Sequence, residues 1–220
     1  VPDVTITVRG DHEVSRRPER ATVRLRVDQT GPARDAVVSA AAGLARSISD
    51  RTAALHDAER GPVTWWASDR LNTWTERPTD RDGRPLAEVH HAVVDLAVRF
   101  SDFDVLSTWL TETAGLADVN VHSIEWSLTD RSRDEAIVEA RRAAVADAQG
   151  KAAVYADSLG CAGIEPVALA DAGLLHDSPP TPGPRPMAMR AAAFSSGEQI
   201  AFMPQDVVVN ASVEARFRAH

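Results

Sequence analysis

The chain has 220 residues, of which 44% are hydrophobic and 25% charged, with a formal net charge of −8. That length suits one large domain or two small ones and should bury roughly 70% of the unfolded surface. The acidic balance argues against the basic footprint of a nucleic-acid binder. No run of about 18 apolar residues offers a membrane-spanning helix, and a lone Cys161 rules out an internal disulfide.

Val4 to Arg9 alternates weakly and predicts a short strand, followed by a polar turn from Asp11 to Glu19 that contains Pro18. Ala21, Val23, Leu25 and Val27 then alternate with Thr22, Arg24, Arg26 and Asp28, the mark of a strand with one wet face. So short a connection predicts that these two strands form a hairpin. Thr30-Gly31-Pro32 opens a long helix with Val37, Ala40, Leu44, Ile48 and Leu55 as its apolar stripe. Val63 to Thr75 reads as one strand carrying Trp65, Trp66 and Trp74, in which Trp66 and Trp74 share a face and Trp65 points away. A charged turn with Asp82-Gly83 leads into a return strand, Leu86 to Phe100.

Ser101 with Asp104 is expected to cap a shorter helix bearing Phe103, Leu106, Trp109 and Leu110, closed by Gly115. In the strand Val119 to Leu128 the apolar parity changes from Val119 and Val121 to Ile124, Trp126 and Leu128. A strand cannot switch its buried face without an extra residue, so a β-bulge is predicted near His122 and Ser123.

The clearest helix runs from Thr129 to Gly160. Ile137, Ala140, Ala144, Ala148, Ala152, Tyr155 and Leu159 recur at helical spacing, and an alanine falls at every fourth position from Ala136 to Ala156. Such a flat ridge lets a helix lie close against a sheet. Ser132 and Glu135 fit a capping box, and Gly160 fits the left-handed residue that ends helices. Glu165 to Leu169 predicts a short strand, residues 172–199 a long loop containing Pro179, Pro180, Pro182, Pro184 and Pro186, and Val207 to Phe217 a strand of clean alternation. The resulting expectation is an α+β fold of order ββα-ββα-βα-ββ. It has mainly antiparallel sheet, with two long helices and one shorter helix packed on one side.

The opening VTITVRGDHEVSRRPERATVRLRV has a strand, a Gly-containing turn and a Pro-x-x-Ala step, Pro18 to Ala21. The stretch ARRAAVADAQGKAAVYADSLG carries Ala140-Arg141, Ala144-Val145, Lys151-Ala152, Tyr155-Ala156 and Gly160. With the closing PQDVVVNASVEARFRA, these blocks resemble the SIMPL-domain family over nearly the whole chain. The resemblance implies a single domain spanning 1–220, with a variable Pro-rich loop at 172–199. It also implies kinship with periplasmic and outer-membrane-associated antigens and with proteins of oxidative-stress defence, some of which form ring-like or channel-like homo-oligomers. It brings no agreed catalytic residues and no cofactor.

The residues themselves point to no reaction. His90 and His91 project to opposite faces of a strand, and His91 with Asp95 lacks a third ligand, so no metal is expected. No Gly-x-Ser-x-Gly elbow is present, and Ser195-Ser196-Gly197 lies in the long loop. Cys161 follows a helix C-terminus, where the dipole disfavours a thiolate. The first expectation is therefore a non-enzymatic homo-oligomer whose contacts use Trp65, Trp66, Trp74 or the Pro179, Pro180 and Pro182 segment. The alternative is a small-molecule binder or hydrolase with a cleft near His91, Asp95 and His122. Location is left open: cytoplasmic from the sequence as it stands, periplasmic or cell-envelope if a signal peptide has been removed.

Overall fold

A computed structural model describes residues 3–175 and 204–220. The described residues divide into two compact units, one built from 3–17, 128–175 and 206–220, the other centred on 18–127.

In the first unit, β1 (Val4–Arg16), β8 (Val207–Ala219) and β7 (Ile164–Asp171) form an antiparallel sheet in the order β1-β8-β7. The register runs from Val4 opposite Ala219 to Arg16 opposite Val207. The chain's two ends thus pair along their whole length. β1 is longer than the sequence suggested, and it pairs with β8 rather than in a hairpin with the next strand, which belongs to the other sheet. Nothing in the alternation of a strand specifies its partner, and the shortest loop was the wrong guide.

Helix α3 (Asp130–Ser158) lies on β1 and β8. Its buried residues are Ala136, Ala140, Ala144, Ala148, Ala152 and Ala156, whereas Tyr155 and Leu159 are exposed. The alanine ridge, and not the stripe of larger residues, is the contact face. It packs on Ile6, Val8, Val213, Ala215 and Phe217 at one end and on Val14 and Leu128 at the other. The helix begins at Thr129, whose hydroxyl accepts from the Ser132 amide at 3.3 Å in place of the expected Ser132–Glu135 box. It ends before Gly160 at φ 76°.

The alanines allow an unusually close approach at Gly10 of β1. The Asp11 amide donates to the Asp147 carboxylate at 2.9 Å, and Lys151 donates to the Arg9 carbonyl at 2.9 Å and to Asp147 at 2.6 Å. Among the described residues β1 is the edge of its sheet, so these two side chains satisfy backbone groups that an edge leaves open. Lys151 is the chain's only lysine.

The second unit is a five-stranded antiparallel sheet. Its strands are β2 (Arg20–Gly31), β3 (Val63–Ser68), β4 (Asn72–Glu76), β5 (Val89–Phe100) and β6 (Val119–Ser127), in the order β3-β5-β2-β6 with β4 also on β5. Helices α1 (Arg34–Ala54) and α2 (Phe103–Ala114) cover one face. Ala21, Val23, Leu25 and Val27 of β2 and Ala92, Val94, Leu96, Val98 and Phe100 of β5 point into that core with Val37, Ala41, Ile48, Leu106 and Trp109. The cap of α2 is Asp102, which accepts from the Asp104 and Val105 amides, while the Ser101 hydroxyl donates to the Gly61 carbonyl. The strand expected over 63–75 is broken, giving the order ββα-βββα-βα-ββ.

That break changes the faces. Ser68 lies opposite Leu96 and Asn72 opposite Val93, so three residues of one strand stand against two of the other. The extra residue reverses the parity. Trp65 (opposite Arg99) and Trp74 (opposite His91) therefore share the face away from the helices, and Trp66 (opposite Val98) packs against the core.

Candidate functional site

The face of the five-stranded sheet opposite α1 and α2 gathers most of the residues singled out in the sequence. Along β5 it presents His91, Val93, Asp95, Ala97 and Arg99, and β2 lays Thr22, Arg24 and Arg26 beside them. Trp74 and Trp65 stand at opposite ends, about 27 Å apart at the strand rise of ~3.4 Å per residue. The aromatic group of the sequence is thus two separate features rather than one patch.

At the first end, the Trp74 ring stacks on His91 with centroids 4.7 Å apart and planes 2° from parallel. His91 Nε2 lies 3.6 Å from the Glu76 carboxylate. The outer side of Trp74 is open, and the residue is 48% exposed.

At the other end, a depression of about 400 Å³ is sunk into the face. Its floor is a pair of alanines, Ala67 of β3 opposite Ala97 of β5, with Arg24 of β2 opposite Ala97 on the far side. Trp65, 42% exposed, closes one end with the Arg99 guanidinium 5.3 Å from its ring centre. Asp95 and Arg26 close the other as a two-pronged pair at 2.8 and 2.9 Å. That hydrogen-bonded pairing, reinforced by the guanidinium charge and by His122, holds the Asp95 carboxyl below its ordinary range despite partial burial.

The predicted bulge is present and explains His122. Arg24 pairs with Ser123 and Leu25 with Val121, leaving His122 as the unpaired residue. It is turned to the rim of the depression. Two members of the polar cluster, Asp95 and His122, accordingly share one site. His91 lies four residues from Asp95 along β5, about 14 Å away, and belongs to the Trp74 stack instead. Sequence reading missed Arg24, Arg26 and Asp69, because only the cross-strand register reveals that they meet Asp95 and Trp65.

A second hollow runs over α3, but its described lining residues, among them Val138 and Arg142, all come from that one helix. It brings no groups together from different elements. Pro179, Pro180, Pro182 and Ser195-Ser196-Gly197 lie outside the described residues. Among the described residues no three His, Cys, Asp or Glu side chains group as a metal site would need. No described helix is long and apolar enough to cross a membrane.

The charge pairs give a pH prediction. Asp95 is held low by Arg26, and Asp147 by its hydrogen bond to Lys151 and then by the Asp11 amide. Carboxyls depressed in the folded state add stability above the unfolded pKa, and that contribution is lost as pH falls through the folded value. Urea midpoints should thus be insensitive to these groups from neutral pH to about 5 and fall below about pH 4. Asp95→Asn should reduce that acid-linked loss. Its half-exposed pair is worth about 1 kcal/mol or less after screening. An identical acid loss in the variant would remove Asp95 from the account.

The chain matches the family described as SIMPL, protein of unknown function (DUF541), over residues 6–217. The match crosses both compact units and includes α3 and most of β1 and β8. No curated protein matches the chain.

Proposed function

The chain belongs to the SIMPL family, and from that premise we propose that it is a non-enzymatic binding protein that works as a homo-oligomer. The observation that carries the reading is Trp74. A large ring, backed by His91 and open on its outer side, stands on the sheet face opposite α1 and α2. Aromatic rings presented in this way are favoured at protein contacts because they bury a large area at little entropic cost. The neighbouring charges are of both signs, Glu76 beside His91 and Arg34 on Thr73, which suits a surface meeting a second copy of itself.

Light scattering after size exclusion should give a mass that is a multiple of the chain's. Trp74→Glu should move it toward the monomer, whereas Trp65→Glu should not. A wild-type chain that stays monomeric at high micromolar concentration would falsify this reading.

A second reading is favoured by a different observation, the bulge that brings His122 to the same depression as Asp95. On this reading the depression takes a small ligand. The converging side chains are binding groups: Asp95, the carboxylate that His122 helps to hold low, is already engaged by Arg26.

A further inference from the structure

We propose that the depression binds a small aromatic carboxylate, with its anionic end at Arg99. The inference rests on the second reading above, in which the depression takes a ligand, and not on self-association through Trp74. It follows from the charges of this face taken row by row across the strands.

At one end Asp95 and Arg26 satisfy one another through two hydrogen bonds. Asp69 belongs to that same end. Its amide donates to the Asp95 carbonyl at 2.8 Å, and it stands four residues, about 14 Å, beyond Trp65 along the strand direction.

The row at the other end is Trp65 of β3, Arg99 of β5, Thr22 of β2 and Glu125 of β6. The Arg99 guanidinium lies over the Trp65 ring at 5.3 Å, and its Nε donates to the Thr22 hydroxyl at 3.4 Å. Among the described residues no carboxylate pairs with Arg99, and neither of its Nη groups has an acceptor. Arg24, its diagonal neighbour on β2, is paired with Glu125 at 3.8 Å, so these two charges offset one another. Arg20, on the same face of β2 two residues before Thr22, adds positive charge to this end and donates to the Glu19 carbonyl. The Trp65 end is therefore positive, and Arg99 is the guanidinium there without a carboxylate.

Stacking on the indole occupies the face of the Arg99 guanidinium and leaves its Nη edge free to donate to the two oxygens of a carboxylate. Beside it lies the floor of Ala67 and Ala97, and Trp65 is 42% exposed. A flat ring laid on this floor covers apolar surface on the alanines and the indole together. An ammonium ligand would meet Arg99 with like charge. An inorganic dianion would gain nothing from the floor and would bring a second negative charge toward Glu125 and the acidic end. A single carboxylate carried on an aromatic ring suits both the cation and the floor.

The test uses the full chain and three probes: phenylacetate, phenylacetamide, which keeps the shape without the charge, and acetate, which keeps the charge without the ring. Calorimetry or ligand-observed NMR should find phenylacetate bound at least ~10-fold more tightly than either, a difference of about 1.4 kcal/mol. Its advantage over the amide should shrink as salt rises from about 20 to about 200 mM. Arg99→Gln should bring phenylacetate down to the level of the amide. Arg99 is exposed, so circular dichroism should show the variant folded, and the salt series reads the same charge in the unaltered chain.

Equal binding of the amide, an advantage that salt leaves untouched, or an unchanged ratio in Arg99→Gln overturns the carboxylate at Arg99 while leaving a ligand site in place. Acetate bound as tightly as phenylacetate overturns the aromatic ring on the floor. If none of the three binds at about 10 mM, the ligand reading of the depression falls as well.

Discussion

Gly10→Ala should destabilise the unit built from β1, β7, β8 and α3 by about 3 kcal/mol or more, at or above the upper end of ordinary overpacking. A Cβ at Gly10 would sit 2.0 Å from the Ala144 carbonyl oxygen, 2.7 Å from the Ala148 nitrogen and 2.8 Å from the Ala148 Cβ. Two of these are backbone atoms of a continuous helix, and no rotamer change can move them. The helix must lift, which would pull Asp147 and Lys151 from the Asp11 amide and the Arg9 carbonyl and open voids along the alanine ridge. Gly150→Ala is the matched control. It adds the same methyl to the same unit, at an exposed helical position with nothing within 4 Å. That change should stabilise by about 1 kcal/mol, the helix propensity difference. Hydrogen exchange of the α3 amides reads both variants. If Gly10→Ala falls within about 0.5 kcal/mol of wild type, an ordinary surface substitution, the close approach at Gly10 is not what holds the helix down.

This contact shows how much of the fold the sequence discloses. The alanine repeat from Ala136 to Ala156 announces a helix that something approaches closely, and that much is legible, although Gly10, read as part of a turn, lies inside β1. That they meet is not, because pairing β1 with β8 joins positions some 200 residues apart, and local periodicity carries no information about such partners. The same limit governs the depression. The parity change around His122 disclosed the bulge, since the conflict lies within one strand. Arg24, Arg26, Asp69 and Asp95 converge only through the register of β2 and β3 on β5, which no single strand encodes. The two tryptophans were misassigned for a related reason: one extra residue between Ser68 and Asn72 reverses every later side chain, and Asp69, Arg70 and Leu71 carry no glycine or proline to mark it.

Phe100→Ala should cost the five-stranded unit about 3–5 kcal/mol, the range for truncating a fully buried aromatic. Phe100 has no exposed surface. It closes β5, opposite Ala21 on one side and Val63 on the other, and its ring meets Trp109 of α2 at 5.2 Å and 56°. Both cross-strand neighbours are small or β-branched and held by the ladder, so they cannot swing in to fill the space. Trp109 is anchored within a helix and can shift only by moving α2. The cavity should therefore persist, which places the cost toward the top of the range. All five tryptophans lie between positions 65 and 126, so tryptophan fluorescence in urea follows this unit selectively. Phe100→Leu, which keeps most of the volume, should recover more than half of the loss if cavity formation dominates. A Leu variant as unstable as the Ala variant would point instead to the ring-on-ring contact with Trp109, worth only about 0.5–1.5 kcal/mol beyond burial by itself, and would make the packing of α2 on β5 more specific than its buried area implies.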